Sequence, residues 1–119
     1  SVKLFEDNPL TTSDNTSTII DTLCDSTCSE TSAGSWTSTT KYGFGFNMSG
    51  DDVPSDFINS NYYRQFSDAS LSENPATIMT SNNVGRSRSA VITYKINISG
   101  LQTAGSYQNI LTFIAVPGY

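Results

Sequence analysis

The segment AVITYKINI, Ala90 to Ile98, alternates without a slip. Ala90, Ile92, Tyr94, Ile96 and Ile98 fall on one side of an extended chain, and Val91, Thr93, Lys95 and Asn97 on the other. Successive side chains of a strand point to opposite faces, so this period of two predicts a half-buried antiparallel strand with a solvated outer face. The same period runs through KYGFGFNM, where Tyr42, Phe44, Phe46 and Met48 share a face that reads as core rather than as a ligand platform. Gly43 and Gly45 occupy the other face and leave it bare, open to close approach by backbone or by another chain. YQNILTFIAV differs again. Leu111, Phe113 and Ala115 make one apolar face, and Ile110, Ile114 and Val116 make a second. A strand apolar on both faces is either covered twice or lies against a partner.

SVKLF, TIIDTL, ATIMTS and YYRQF supply weaker strand patterns. Between them, EDNPLTTSDNTS and CDSTCSETSAGS read as long polar loops. SGDDVPSD, SDASLSENP and SNNVGRS carry the Gly, Asn, Asp and Pro that interrupt strands. No helical period of any length is present, although DASLSEN suits a single helical turn after Asp68. Many short strands at this spacing predict an all-β sandwich or barrel over a single domain, residues 1–119. The turn LQTAGSY fits a tyrosine corner of the immunoglobulin-like sandwich. Gly105 permits an unusual backbone angle, and Tyr107 reaches back with its hydroxyl toward residues 100–105. The strands over 90–98 and 107–116 then either pair or cross between sheets.

Ser and Thr make up 34 of the 119 residues, so hydroxyls and amides wet a surface that has few charges. That balance is common in extracellular β proteins and suits O-glycosylation. N-glycosylation sequons occur at Asn15, Asn47 and Asn97. The net charge is −5, and among six basic residues only Arg86 and Arg88 cluster, which argues against nucleic acid as a partner. No stretch approaches the ~20 apolar residues of a membrane span. No signal-peptide pattern opens the chain, which points to a mature form or a fragment. Cys24 and Cys28 are too few for a metal site in a chain without histidine, and their spacing of three is not that of a redox pair. They read as a local disulfide, with two free thiols as the alternative; a disulfide implies an oxidising compartment.

Candidate chemistry is sparse. No histidine is present to activate a serine, and Asp51, Asp52 and Asp56 read as turn chemistry before an acid pair, so the chain is expected to be non-catalytic and to need no cofactor. The same three aspartates are a low-ranking calcium candidate, as are Glu6, Asp7 and Asn8, or Asp21 and Asp25. Trp36, Tyr42, Tyr62 and Tyr63 offer a candidate sugar-stacking surface. One of the tandem tyrosines should be exposed if both lie in a strand.

The ending AGSYQNILTFIAVP, with WTSTTKYGFGFNMSGDDVPSDF, YYRQFSD and VITYKINISGLQTAGSYQNILTFIAVP, resembles the secreted Ig-like β-sandwich cell-surface proteins of candidate-phyla bacteria. The resemblance covers most of the chain from Trp36 onward. A weaker resemblance, confined to the A-G-x-Y end and an alternating last strand, is to spore-coat-U and archaic-pilin domains. Neither implies a catalytic residue. In the first group, earlier strands usually precede a segment like SVKLFEDNPLTT. The resemblance therefore implies an immunoglobulin-like antiparallel β-sandwich incomplete at its N-terminal end, the C-terminal part of a longer surface protein.

The combined expectation is an extracellular or cell-surface structural or adhesive module. Either it is a self-contained monomeric domain with a few surface isoleucines, or it is completed by β-strands from other subunits or from the N-terminal part of its own precursor, with Ile110, Ile114 and Val116 bordering the open groove. The alternative is a carbohydrate-binding module whose partner is a glycan held on Trp36, Tyr62 and Tyr63.

Overall fold

The computed structural model describes residues 1–82 and 87–117. Arg86 and most of the SNNVGRS breaker lie outside them. Ten strands follow in order: β1 Val2–Glu6, β2 Leu10–Thr12, β3 Thr18–Ile19, β4 Gly34–Ser35, β5 Gly43–Gly50, β6 Tyr62–Tyr63, β7 Ala76–Met79, β8 Ala90–Asn97, β9 Tyr107–Gln108 and β10 Leu111–Ala115. Their pairings are antiparallel, in the orders β10-β1-β7, β3-β2-β9, β4-β6 and β5-β8. The result is an all-β, sandwich-like globule. A single 3-10 turn, Ala69–Leu71, follows Asp68, whose side chain accepts from the Ser70 N–H and caps it.

The core gathers one face of several strands. Leu4, Leu10, Ile19, Phe44, Phe46, Met48, Phe57, Phe66 and Ile78 are buried together. Phe66 lies at its centre, with ring centroids 4.8 Å from both Phe44 and Phe46. Burying each such side chain stabilises the fold by about 1.5–3 kcal/mol.

Several expectations need correction. β2 and β4 fall inside the stretches read as long polar loops. At two or three residues they are too short to carry a period. The bare face of KYGFGFNM is not open to another chain: β5 is buried on both faces from Gly43 to Met48. A Cβ on Gly43 would lie 2.6 Å from Thr22 Cα, and one on Gly45 would lie 2.7 Å from the Arg64 carbonyl oxygen. The protein's own segments at Thr22 and Arg64 fill that face. Tyr42, by contrast, is exposed rather than in the core.

The last strand is two strands. β9 pairs with β2 and β10 with β1, so the chain changes sheets at Asn109–Ile110. The switch is held by Asp7, whose carboxylate accepts from the Ile110 N–H at 2.8 Å and whose own N–H donates to the Ile110 carbonyl at 3.0 Å. β8 neither pairs with β9 nor with β10; its eight residues run along β5 from Gly43↔Asn97 to Gly50↔Ala90.

Candidate functional site

Two features stand out once the strands are placed: an apolar surface with open sheet edges, and a buried trio of carboxylates.

β8 and β10 each have one sheet neighbour, and each ends its sheet among the described residues. The face of β8 that was expected to be buried is half open: Ala90 and Ile92 are partly covered, but Tyr94, Ile96 and Ile98 are exposed, Ile96 at 54%. Periodicity assigns residues to a face; here Ala90 and Ile92 pack against the core and the Tyr94 ring stacks on Phe44 and Phe66, while Ile96 and Ile98 lie beyond its cover among the described residues. On β10 and beside it, Ile110, Phe113, Ile114 and Val116 are exposed as well, Ile110 at 65%. Leu101, in the turn that leads to Tyr107, is also exposed.

The carboxylate trio is Glu6, Asp21 and Asp68. One carboxylate oxygen from each lies within 4.8 Å of the others. Each acid follows a buried apolar residue by two positions: Leu4 before Glu6, Ile19 before Asp21, Phe66 before Asp68. On β1 the period of two turns Glu6 inward with Leu4, whereas Phe66, Ser67 and Asp68 are buried as a run. Backbone bridges bring the segments together, Glu6 to Asp68 and Asp21 to Phe44, with the Glu6 N–H donating to the Ser67 carbonyl at 2.8 Å. Glu6 and Asp68 have no exposed surface.

Glu6 and Asp68 are each satisfied at one oxygen. Asn109 Nδ2 donates to Glu6 Oε2 at 2.7 Å, and Ser70 donates to Asp68 Oδ1 from both its N–H and its hydroxyl. Glu6 Oε1, Asp21 Oδ1 and Asp68 Oδ2 are buried without a hydrogen-bond partner. Burial, reinforced by the neighbouring carboxylates, pushes the Glu6 carboxyl far up, and burial raises that of Asp21 too. In the sequence Glu6 and Asp21 belong to separate acidic groups, and Asp68 opens a turn. An acid on the apolar face of a strand was the signal for Glu6.

The other expected residues fall elsewhere. Asp51 and Asp52 face Arg88, at 4.0 and 2.9 Å, and Asp56 pairs with the buried Arg64 at 2.8 Å. Arginines thus neutralise the loop proposed for calcium, and its carboxylates do not converge. Trp36 is completely buried, so its indole offers no face to a sugar. It packs edge-on against Tyr63, with centroids 5.4 Å apart, beside the Cys24–Cys28 disulfide. Tyr62 and Tyr63 are both half-buried, rather than one in and one out, and Tyr63 packs against the Trp36–disulfide cluster.

The Tyr107 hydroxyl donates to the Thr103 carbonyl at 2.6 Å and accepts from Gln102 Nε2 at 2.8 Å, while its ring is half-buried. Gly105 has φ +159°, close to extended, and a Cβ there would meet Thr12 Cγ2 at 3.3 Å. Packing against β2, more than an unusual angle, gives glycine its place. Of the three sequons, Asn15 is exposed. The buried Asn47 amide donates to the carbonyls of Asn59 and Tyr62, and that of Asn97 donates to Thr39 and Lys41. Asn47 and Asn97 therefore spend their amides inside the fold.

Among the described residues no helix is long and apolar enough to cross a membrane. No protein-family model, curated protein or solved structure matches the chain.

Proposed function

We propose that this domain is a non-catalytic structural or adhesive module of an exported surface protein, and that it assembles by adding β-strands across the open edges of β8 and β10. The exposed apolar side chains along those two edges carry the reading: Tyr94, Ile96 and Ile98 on or just past one, and Phe113 and Ile114 on the other. An unpaired edge presents a row of free N–H and C=O groups, and exposed isoleucines beside it make pairing with another strand favourable. The occupant is a strand of a second copy. The edges of β8 and β10 lie on one molecule, so edge-to-edge contact between copies needs no other protein, and a contact between unlike edges propagates into a filament. The Cys24–Cys28 disulfide supports an oxidising compartment, and the hydroxyl-rich composition supports an extracellular one.

Sedimentation of the purified domain at rising concentration tests the reading. Self-association is expected at up to about 100 μM, a weak-to-moderate contact, and Ile96→Glu or Ile114→Glu should abolish it without altering the circular dichroism. A strictly monomeric protein over that range, with no filaments in negative-stain images, would refute it.

A further inference from the structure

We propose that Glu6, Asp21 and Asp68 form a calcium site, one carboxylate from each of three segments that meet at the end of β1. The spacing fits one ion. Oxygens bound to a common calcium at about 2.3–2.6 Å lie no more than about 5 Å apart, and these three lie within 4.8 Å. Each acid holds a buried oxygen with no partner, Glu6 Oε1, Asp21 Oδ1 and Asp68 Oδ2. The opposite oxygens of Glu6 and Asp68 are fixed by Asn109 and Ser70. Outer hydrogen bonds of this kind orient a carboxylate toward a metal.

The charge needs an answer. The ion pairs among the described residues engage Asp51, Asp52 and Asp56, and none reaches this trio. Buried carboxylates with neither partner nor counter-charge are strongly unfavourable, so the cluster must hold protons or a cation. A proton shared between Glu6 and Asp21 engages two of the three orphan oxygens and still leaves Asp68 Oδ2 bare, whereas one ion meets all three. The ligands are hard oxygens. The chain has no histidine, and both cysteines are in the disulfide, which argues against zinc or copper. Magnesium keeps several waters in a strict octahedron, and the closed surroundings of Glu6 and Asp68 favour the more adaptable calcium.

The test uses the whole domain, stripped with a chelator and then titrated with calcium chloride. Its melting temperature should climb steadily with free calcium, and calorimetry should show one site. In Glu6→Gln and Asp21→Asn the affinity should fall by at least about tenfold, and the metal-free variants should melt no lower than the stripped parent, because a neutral amide replaces an acid whose anion burial disfavours. Asp52→Asn, in the Arg88 loop, should bind calcium as the parent does. A melting temperature unmoved up to about 10 mM calcium overturns the site, and this holds even if a variant fails to fold. Unchanged affinity in Glu6→Gln overturns it equally, and an equal response to magnesium overturns the assignment to calcium.

Discussion

Lys95 Nζ lies 4.4 Å from the ring centroid of Trp36 and donates to the Trp36 carbonyl at 2.7 Å. One ammonium thus closes the small cluster of the disulfide, Trp36 and Tyr63, and it ties β8 to the loop before β5. Burial lowers the Lys95 pKa, partly offset by Asp25. Lys95→Ala should uncover the only tryptophan and destabilise the domain by about 1–2 kcal/mol through lost cation–π contact and stem packing. Intrinsic fluorescence reads this directly, as a red-shifted emission in the variant. An unshifted spectrum with unchanged urea midpoint would show that Lys95 is ornamental to the cluster.

Gly45→Ala should cost about 1–3 kcal/mol by overpacking. The added methyl would meet both Thr22 Cγ2 at 2.6 Å and the Arg64 carbonyl oxygen at 2.7 Å, and the latter is backbone that cannot swing aside. Thermal melting of the variant checks it, and parent-like melting would mean that the Thr22 and Arg64 segments do not press on β5.

Tyr107→Phe removes a hydroxyl that both donates to Thr103 and accepts from Gln102. Because that corner is partly solvated, the expected loss is about 0.5–1.5 kcal/mol rather than the larger penalty of a fully buried orphan. Denaturant titration measures it; no loss would leave the corner without a role in stability.

Acid should weaken the fold through Asp25 and Asp56. Asp25 is held below the ordinary carboxylate range by the N–H groups of Ser38 and Thr37. Burial opposes ionisation of Asp56, but Arg64 and the Ala33 N–H outweigh it and hold this carboxyl low as well. A folded value below the unfolded one means that the contribution is complete above about pH 4, the unfolded carboxylate value, and is lost as pH falls through the folded value. Asp56→Asn leaves Arg64 buried beside a neutral amide and should cost about 2–3 kcal/mol at neutral pH. Its melting temperature should then fall less steeply in acid than the parent's. Parallel acid limbs for the two proteins would remove Asp56 from the account.

The all-β class was legible because β1, β5, β7 and β8 carry their own period of two. What lay over each face was not. The Ile92–Ile98 face looks like core in sequence and is largely surface, while the glycine face of β5 looks bare and is sealed by Thr22 and Arg64. These are contacts between segments far apart in the chain, and local alternation is silent about them. The switch at Asn109–Ile110 was hidden for the same reason, since Asp7, a hundred residues away, makes it. The carboxylate trio needs three such distant meetings at once.

The Ser1 ammonium donates to the Val116 carbonyl at 2.7 Å, and the Val116 N–H returns a bond to the Ser1 carbonyl. Together with the register Val2↔Ala115 to Glu6↔Leu111, this places residues 1 and 116 at the same end of one antiparallel ladder. Hydrogen bonds in such a ladder stand perpendicular to the strands. Tension applied between those two residues therefore loads the rungs one after another, like a zip, instead of all together in shear. A module pulled this way yields at low force and lengthens early, absorbing strain before its core is disturbed. Single-molecule pulling from the two ends should show β1 and β10 parting first at low force; a single high-force rupture would contradict it.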